Sequence, residues 1–167
     1  MKLIIVRHAA AIERTADVPE ELRYLTSEGR SFARKTARTM LKNGIEPSLI
    51  LSSPLVRAVQ TADILAETLS YIGSVVVTGE LAPGFDRAAF LRILDTYRQV
   101  DELLLVGHEP DLGSVVSELL FLRERYSFKK GTAVNLKCDD CFTAPATFKW
   151  LAAGKKLITS RDEVFSR

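Results

Sequence analysis

The chain has 167 residues, 47% of them hydrophobic, enough for a single domain with a real core, and its 23 basic and 21 acidic side chains are well mixed. A net charge of +2 with only short basic clusters, such as Lys129-Lys130, argues against a nucleic-acid partner. The apolar runs Leu3–Val6 and Leu103–Val106 are far shorter than the ~18 residues of a membrane span, and the first is too short for a signal peptide, so a cytoplasmic protein is expected; a monomer is the preferred state, on no specific sequence signal.

Four short apolar runs recur along the chain, each followed by a helical pattern. Lys2–Val6 is the first. Thr26-Ser27-Glu28 then starts a helix with Phe32, Ala33, Thr36, Ala37, Met40 and Leu41 at three-and-four spacing, and Gly44 closes it. Leu49–Leu51 is the second run. Ser52-Ser53-Pro54 offers a capping serine with proline at the first helical position, and Val56, Val59, Ile64, Leu65 and Leu69 supply a buried face. Val75–Val77 is the third, followed by the loop Gly79–Gly84 and a helix over about Asp86–Arg98. Leu103–Val106 is the fourth, with Gly107-His108-Glu109-Pro110 and a helix through Leu122. Strands alternating with helices predict an α/β three-layer sandwich, a mostly parallel central sheet with helices on both faces. Ala133–Cys138 and Ala146–Ala152 alternate like a terminal hairpin that pairs antiparallel at the sheet edge. No repeat or linker divides residues 1–167, which predicts one domain.

Cys138 and Cys141 form a single C-x-x-C. A structural zinc needs four ligands, and no second pair exists, so two thiols flanking a hairpin turn are expected. A disulfide, or a metal shared between chains, is the alternative.

Three of the four strand-to-helix junctions carry chemistry: Arg7-His8, Ser52-Ser53-Pro54-Leu55-Val56-Arg57 and Gly107-His108-Glu109-Pro110. The carboxyl ends of parallel strands share one edge, where ligands bind, and helix N-termini there favour an anion. The chain has only two histidines, and both fall directly after a strand. Either alone is an ordinary polar loop residue, and Arg7 alone could be a surface arginine. Together with Arg57, whose cation sits where a helix dipole disfavours it, they make a pocket suited to a phosphoryl group.

Val6-Arg7-His8-Ala9, Ser52-Ser53-Pro54-x-x-Arg57-Ala58-x-x-Thr61 and Gly107-His108 resemble the histidine phosphatase superfamily, whose fold is phosphoglycerate mutase-like. Leu22-Arg23-x-Leu25-Thr26-x-x-Gly29, Glu80-Leu81-x-Pro83 and Gly107-His108-Glu109-Pro110-x-Leu112 resemble its short SixA-type phosphohistidine phosphatases. One departure is Ala9, where many members have glycine; its methyl would narrow the backbone's approach to phosphate. The resemblance implies that His8 attacks phosphorus and becomes a phosphohistidine, that Arg7 and Arg57 clamp the phosphoryl oxygens, and that His108, protonated when phosphate is bound, adds a donor. No metal or cofactor is implied, since the arginines carry the charge. In larger relatives a glutamate serves as general acid. Here Glu80 is the nearest carboxylate, and Pro83 falls where that acid is expected, so Glu80 is either a displaced acid/base or a turn residue.

An imidazole leaving group tolerates a missing acid, and the short segments between motifs leave little material for a lid. The expected substrate is therefore a phosphohistidine on a partner protein such as a phosphotransfer domain. The alternatives are a phosphatase of small phosphomonoesters or sugar phosphates using the same nucleophile, and a phosphate-binding module without turnover. A mutase, which needs a lid to hold its intermediate, fits less well.

Overall fold

A computed structural model of the chain describes residues 1–139 and 144–166. One seven-stranded sheet organises it, in the order β3-β2-β4-β1-β5-β6-β7. The strands are β1 (Lys2–Arg7), β2 (Leu49–Ser52), β3 (Val76–Val77), β4 (Glu102–Gly107), β5 (Thr132–Lys137), β6 (Thr147–Ala153) and β7 (Lys156–Ile158). β3, β2, β4 and β1 run parallel, and β5, β6 and β7 continue the sheet antiparallel. The helices are α1 (Ser27–Lys42), α2 (Val56–Thr68), α3 (Arg87–Thr96), α4 (Asp111–Leu119) and α5 (Arg161–Phe165).

Two cores follow from the pleat, which sends successive side chains to opposite faces. Leu3 and Ile5 of β1 and Leu103 and Leu105 of β4 pack with Phe90 and Ile93 of α3 and with Leu112 and Val116 of α4. Ile4, Val6, Leu104 and Val106 turn the other way, onto Ala37 and Met40 of α1 and Ala58, Ala62 and Leu65 of α2. Because β1 and β4 are covered on both faces, they read as unbroken apolar runs. The predicted three-layer α/β architecture is the one observed.

Several details differ from expectation. α2 begins at Val56 behind Leu55, without a side-chain cap. Ser53, expected to cap it, is fully buried and turned toward His108 instead. Val76 and Val77 are exposed, because β3 is a two-residue edge strand with one neighbour. α4 stops at Leu119, and Phe121 takes a left-handed conformation (φ 52°) that no helix can continue. β7 and α5, absent from the sequence reading, close the antiparallel edge; Ser160 caps α5 by accepting from the Glu163 amide. Cys138 is buried and disulfide-bonded, so the reading of it as a free thiol gives way to the disulfide alternative; Cys141 lies outside the described residues. No helix among the described residues is long and apolar enough to cross a membrane.

Candidate active site

β4 lies between β1 and β2, although it follows them in sequence. The chain leaves β1 for a helix on one face and leaves β4 for a helix on the other. The two connections diverge and open a crevice outside the carboxyl ends of these adjacent strands, where ligands of open α/β sheets bind. Arg7 and Gly107 are register partners, so His8 and His108 emerge side by side, with ring centroids 5.0 Å apart. β2 ends beside β4 and delivers Arg57 from the first turn of α2. Arg7, His8, Arg57 and His108 line one cavity of about 670 Å³.

The turn that carries His8 is pinned from several sides. His8 N–H donates to the Gly107 carbonyl at 3.0 Å, and Gly131 N–H is 3.1 Å from both the Arg7 and the His8 carbonyls. Gly131 has φ +75°, a conformation that glycine adopts without strain. Ala9 N–H donates to Thr61 Oγ1 at 3.1 Å, and Thr61 O–H donates to the Arg57 carbonyl at 2.7 Å. The Ala9 methyl packs in a small core with Ala33 and Ile64 and does not line the cavity. The departure from glycine therefore does not narrow the pocket.

The hydrogen bonds assign the tautomer of His8. Nδ1 lies 2.8 Å from the Ala9 carbonyl, which can only accept, so Nδ1 carries the proton. Nε2 lies 3.3 Å from Arg57 Nε–H, which can only donate, so Nε2 presents a lone pair. Burial, with a further push from Arg57, Arg7 and Lys130, lowers the His8 pKa to about 4 against the bond to Ala9. His8 is thus neutral at pH 7.

His108 is lowered to about 3, first by burial and then by His8, Arg57 and Arg7. Its Nε2 is 2.7 Å from Ser53 Oγ, and its buried Nδ1 has no partner among the described residues. Arg7 donates from Nη1 to the Phe128 carbonyl, while its buried Nε has no partner among the described residues. Unpaired buried polar groups are costly, and two of them belong to residues that line this cavity.

Glu80, the candidate acid, lies outside the cavity. It sits in a 3-10 turn, Gly79–Leu81, and pairs with Arg92 Nε at 3.1 Å. Pro83 lines the cavity instead. The carboxylates that do line it are Glu13, Glu20 and Glu109, and Arg14, Arg23 and Lys130 add positive charge. None of these six was singled out from the sequence for a role in the site, although Arg23 and Glu109 lie within motifs already quoted. Glu109 accepts from the Phe128 amide at 3.1 Å, and burial raises its pKa. Among the described residues no three His, Cys, Asp or Glu side chains cluster to hold a metal.

Residues 3–82, which carry Arg7, His8 and Arg57, match the model of the histidine phosphatase superfamily (branch 1). An uncharacterized protein of Picosynechococcus is 36% identical over 123 residues, covering 72% of this chain and 74% of that protein. The Escherichia coli phosphohistidine phosphatase SixA is 29% identical over 154 residues, covering 90% and 92%. A solved structure of the protein histidine phosphatase SixA complexed with tungstate superposes with a TM-score of 0.80 at 28% identity, covering 92% and 97%. The chain belongs to the histidine phosphatase superfamily, in its SixA-type branch, with the phosphoglycerate mutase-like fold of that group. It is a phosphatase.

Proposed function

We propose that this phosphatase hydrolyses a phosphohistidine displayed on another protein, by way of a covalent phosphohistidine on His8. The observation that carries the reading is the His8 lone pair at Nε2, fixed in a neutral ring beside Arg57. Neutral imidazole is a competent covalent catalyst. Nε2 bonds to phosphorus as the P–N bond of the substrate breaks, and a substrate ring protonated at its distal nitrogen departs as neutral imidazole. Water then attacks phosphorus, releasing phosphate and restoring His8. Arg7 and Arg57 hold the phosphoryl oxygens, since guanidinium geometry matches phosphate, and such fixed donors stabilise redistributing charge.

His108 supplies a further donor even as a neutral ring. Ser53 Oγ accepts the Leu55 amide at 3.3 Å and is free to donate its hydroxyl proton to His108 Nε2. That leaves the proton on Nδ1, where a neutral ring still donates to a phosphoryl oxygen. Without an anion, burial holds the His108 pKa at about 3; a phosphoryl dianion beside the ring acts in the opposite direction, toward the protonated form that the resemblance implies when phosphate is bound.

A phosphohistidine substrate suits the absence of Glu80 from the cavity, because its leaving group needs no strong acid. Glu109 favours the alternative, a small phosphomonoester, since a half-buried carboxyl with a raised pKa beside the site could protonate an alkoxide. The Phe128 amide already occupies its Oε1. Turnover of a protein phosphohistidine and of an alkyl phosphate by the same enzyme separates the two readings. Faster hydrolysis of the phosphoramidate is expected; faster hydrolysis of the alkyl ester overturns the proposal.

A further inference from the structure

Arginine presents a planar fork with five N–H donors and two usable edges, one along Nε and one across the two Nη ends. Both ends of the Arg57 fork are engaged. Nε donates to His8 Nε2 at 3.3 Å. At the far end, Nη1 donates to the main-chain carbonyl of Glu20 at 2.8 Å, and Nη2 lies 3.0 Å from Glu20 Oε1. A single residue of the cavity lining thus meets the Nη end of Arg57 with two acceptors, one from its backbone and one from its side chain. Glu20 belongs to a 3-10 turn, Glu20–Leu22, in the connection from β1 to α1. The Arg57 side chain is only 6% exposed, so little solvent is present to hold the guanidinium if Glu20 releases it.

We propose that Glu20 is a positioning residue: it grips the far end of Arg57 so that the Nε edge faces the phosphoryl group passing to His8. This rests on the phosphatase reading of the site. A fork already held in place loses less rotamer entropy when the anion arrives than a free arginine side chain would.

A carboxylate so near a phosphoryl group would ordinarily repel it, but Glu20 is shared three ways. Oε2 is 2.9 Å from Arg14 Nε, and Arg23 Nη1 lies 2.9 and 3.0 Å from the two carboxylate oxygens. Arg23 is itself anchored through Nε–H to the Ile12 carbonyl at 2.9 Å. Hydrogen bonding to Arg14, above all, holds the Glu20 carboxyl at about 2, so it remains a charged acceptor at any working pH. The opposite reading is that Glu20 competes with phosphate for Arg57, and the two differ in sign.

The test measures inorganic phosphate and tungstate affinity by calorimetry, with kcat and KM on the phosphorylated substrate, for Glu20→Ala, Glu20→Gln, Arg57→Ala and Glu20→Ala/Arg57→Ala. Glu20→Ala should weaken oxyanion binding and kcat/KM roughly ten- to a hundredfold, the scale of a misplaced catalytic group. Glu20→Gln keeps both carbonyl acceptors and should recover most of the loss. The double variant should match Arg57→Ala, because a residue acting only through Arg57 adds nothing once Arg57 is gone. Oxyanion binding that stays unchanged or tightens in Glu20→Ala, or losses that add in the double variant, overturn the proposal. Should the wild type fail to hydrolyse phosphohistidine, the substrate reading falls, while the binding measurements still decide the role of Glu20.

Discussion

The bond from His8 Nδ1–H to the Ala9 carbonyl and the approach of Arg57 Nε–H to Nε2 leave the ring one proton and one lone pair, each at a fixed atom. If that lone pair is the nucleophile, His8→Ala should lower turnover by ~10⁴-fold or more, the scale of losing a covalent catalyst, while phosphate still binds. Arg57→Ala should weaken binding and turnover together. A His8→Ala enzyme with most of its activity would end the covalent mechanism. The pH profile offers a second check. Burial holds His8 at about 4, so the acid limb of kcat/KM should fall well below the ordinary imidazole value of about 6.5. Initial rates between pH 4 and 8 would show whether activity at pH 5.5 still matches that at pH 7.

At the scale of elements, the site depends on close approach between segments remote in sequence. The start of α1 lies against the loop after His8: Thr26 N–H donates to the Ala10 carbonyl at 3.0 Å, and Thr26 Oγ1 caps the helix at Gly29 N–H. A Cβ on Gly29 would stand 2.1 Å from the Ala10 carbonyl oxygen, backbone against backbone. Gly29→Ala must therefore push α1 away from the turn that carries His8, and overpacking of this kind costs ~1–3 kcal/mol. Urea unfolding should register that loss, together with a fall in kcat. An unchanged urea midpoint would show that the contact yields freely. Thr61 works in the same way from α2, linking the Ala9 amide to the Arg57 carbonyl.

For the whole molecule, burying two neutral histidines makes folding sensitive to acid. His8 is held at about 4 and His108 at about 3, against about 6.5 in an unfolded chain. Between those limits the unfolded chain binds protons that the fold refuses, so stability falls as pH drops from 6.5 toward 3. The His8 share alone is on the order of 3 kcal/mol. Glu109 acts in the opposite direction above its ordinary value, since burial raises its pKa and the folded state is the tighter proton binder. Chemical denaturation at pH 7 and pH 4.5 should show lower stability in acid. His8→Gln/His108→Gln should flatten that dependence, and an equally steep slope in the double variant would assign it to other groups.

The strand–helix alternation, the two sandwich faces and the convergence of Arg7, His8, Arg57 and His108 were all legible in the sequence, because periodicity and junction position are local properties. Glu20 was not, since it lies in a polar connection with no periodic signal and matters only through a fork delivered from α2, 37 residues away. Ser53 was misassigned for a related reason: its position before a proline suits a helix cap, but β4 sets His108 2.7 Å away and takes the hydroxyl. The amino-acid order by itself determined that Arg7, His8, Arg57 and His108 meet, through the rule that parallel strands share an edge. Only the tertiary structure decided their protonation and aim, because burial, tautomer and guanidinium orientation depend on every neighbour at once.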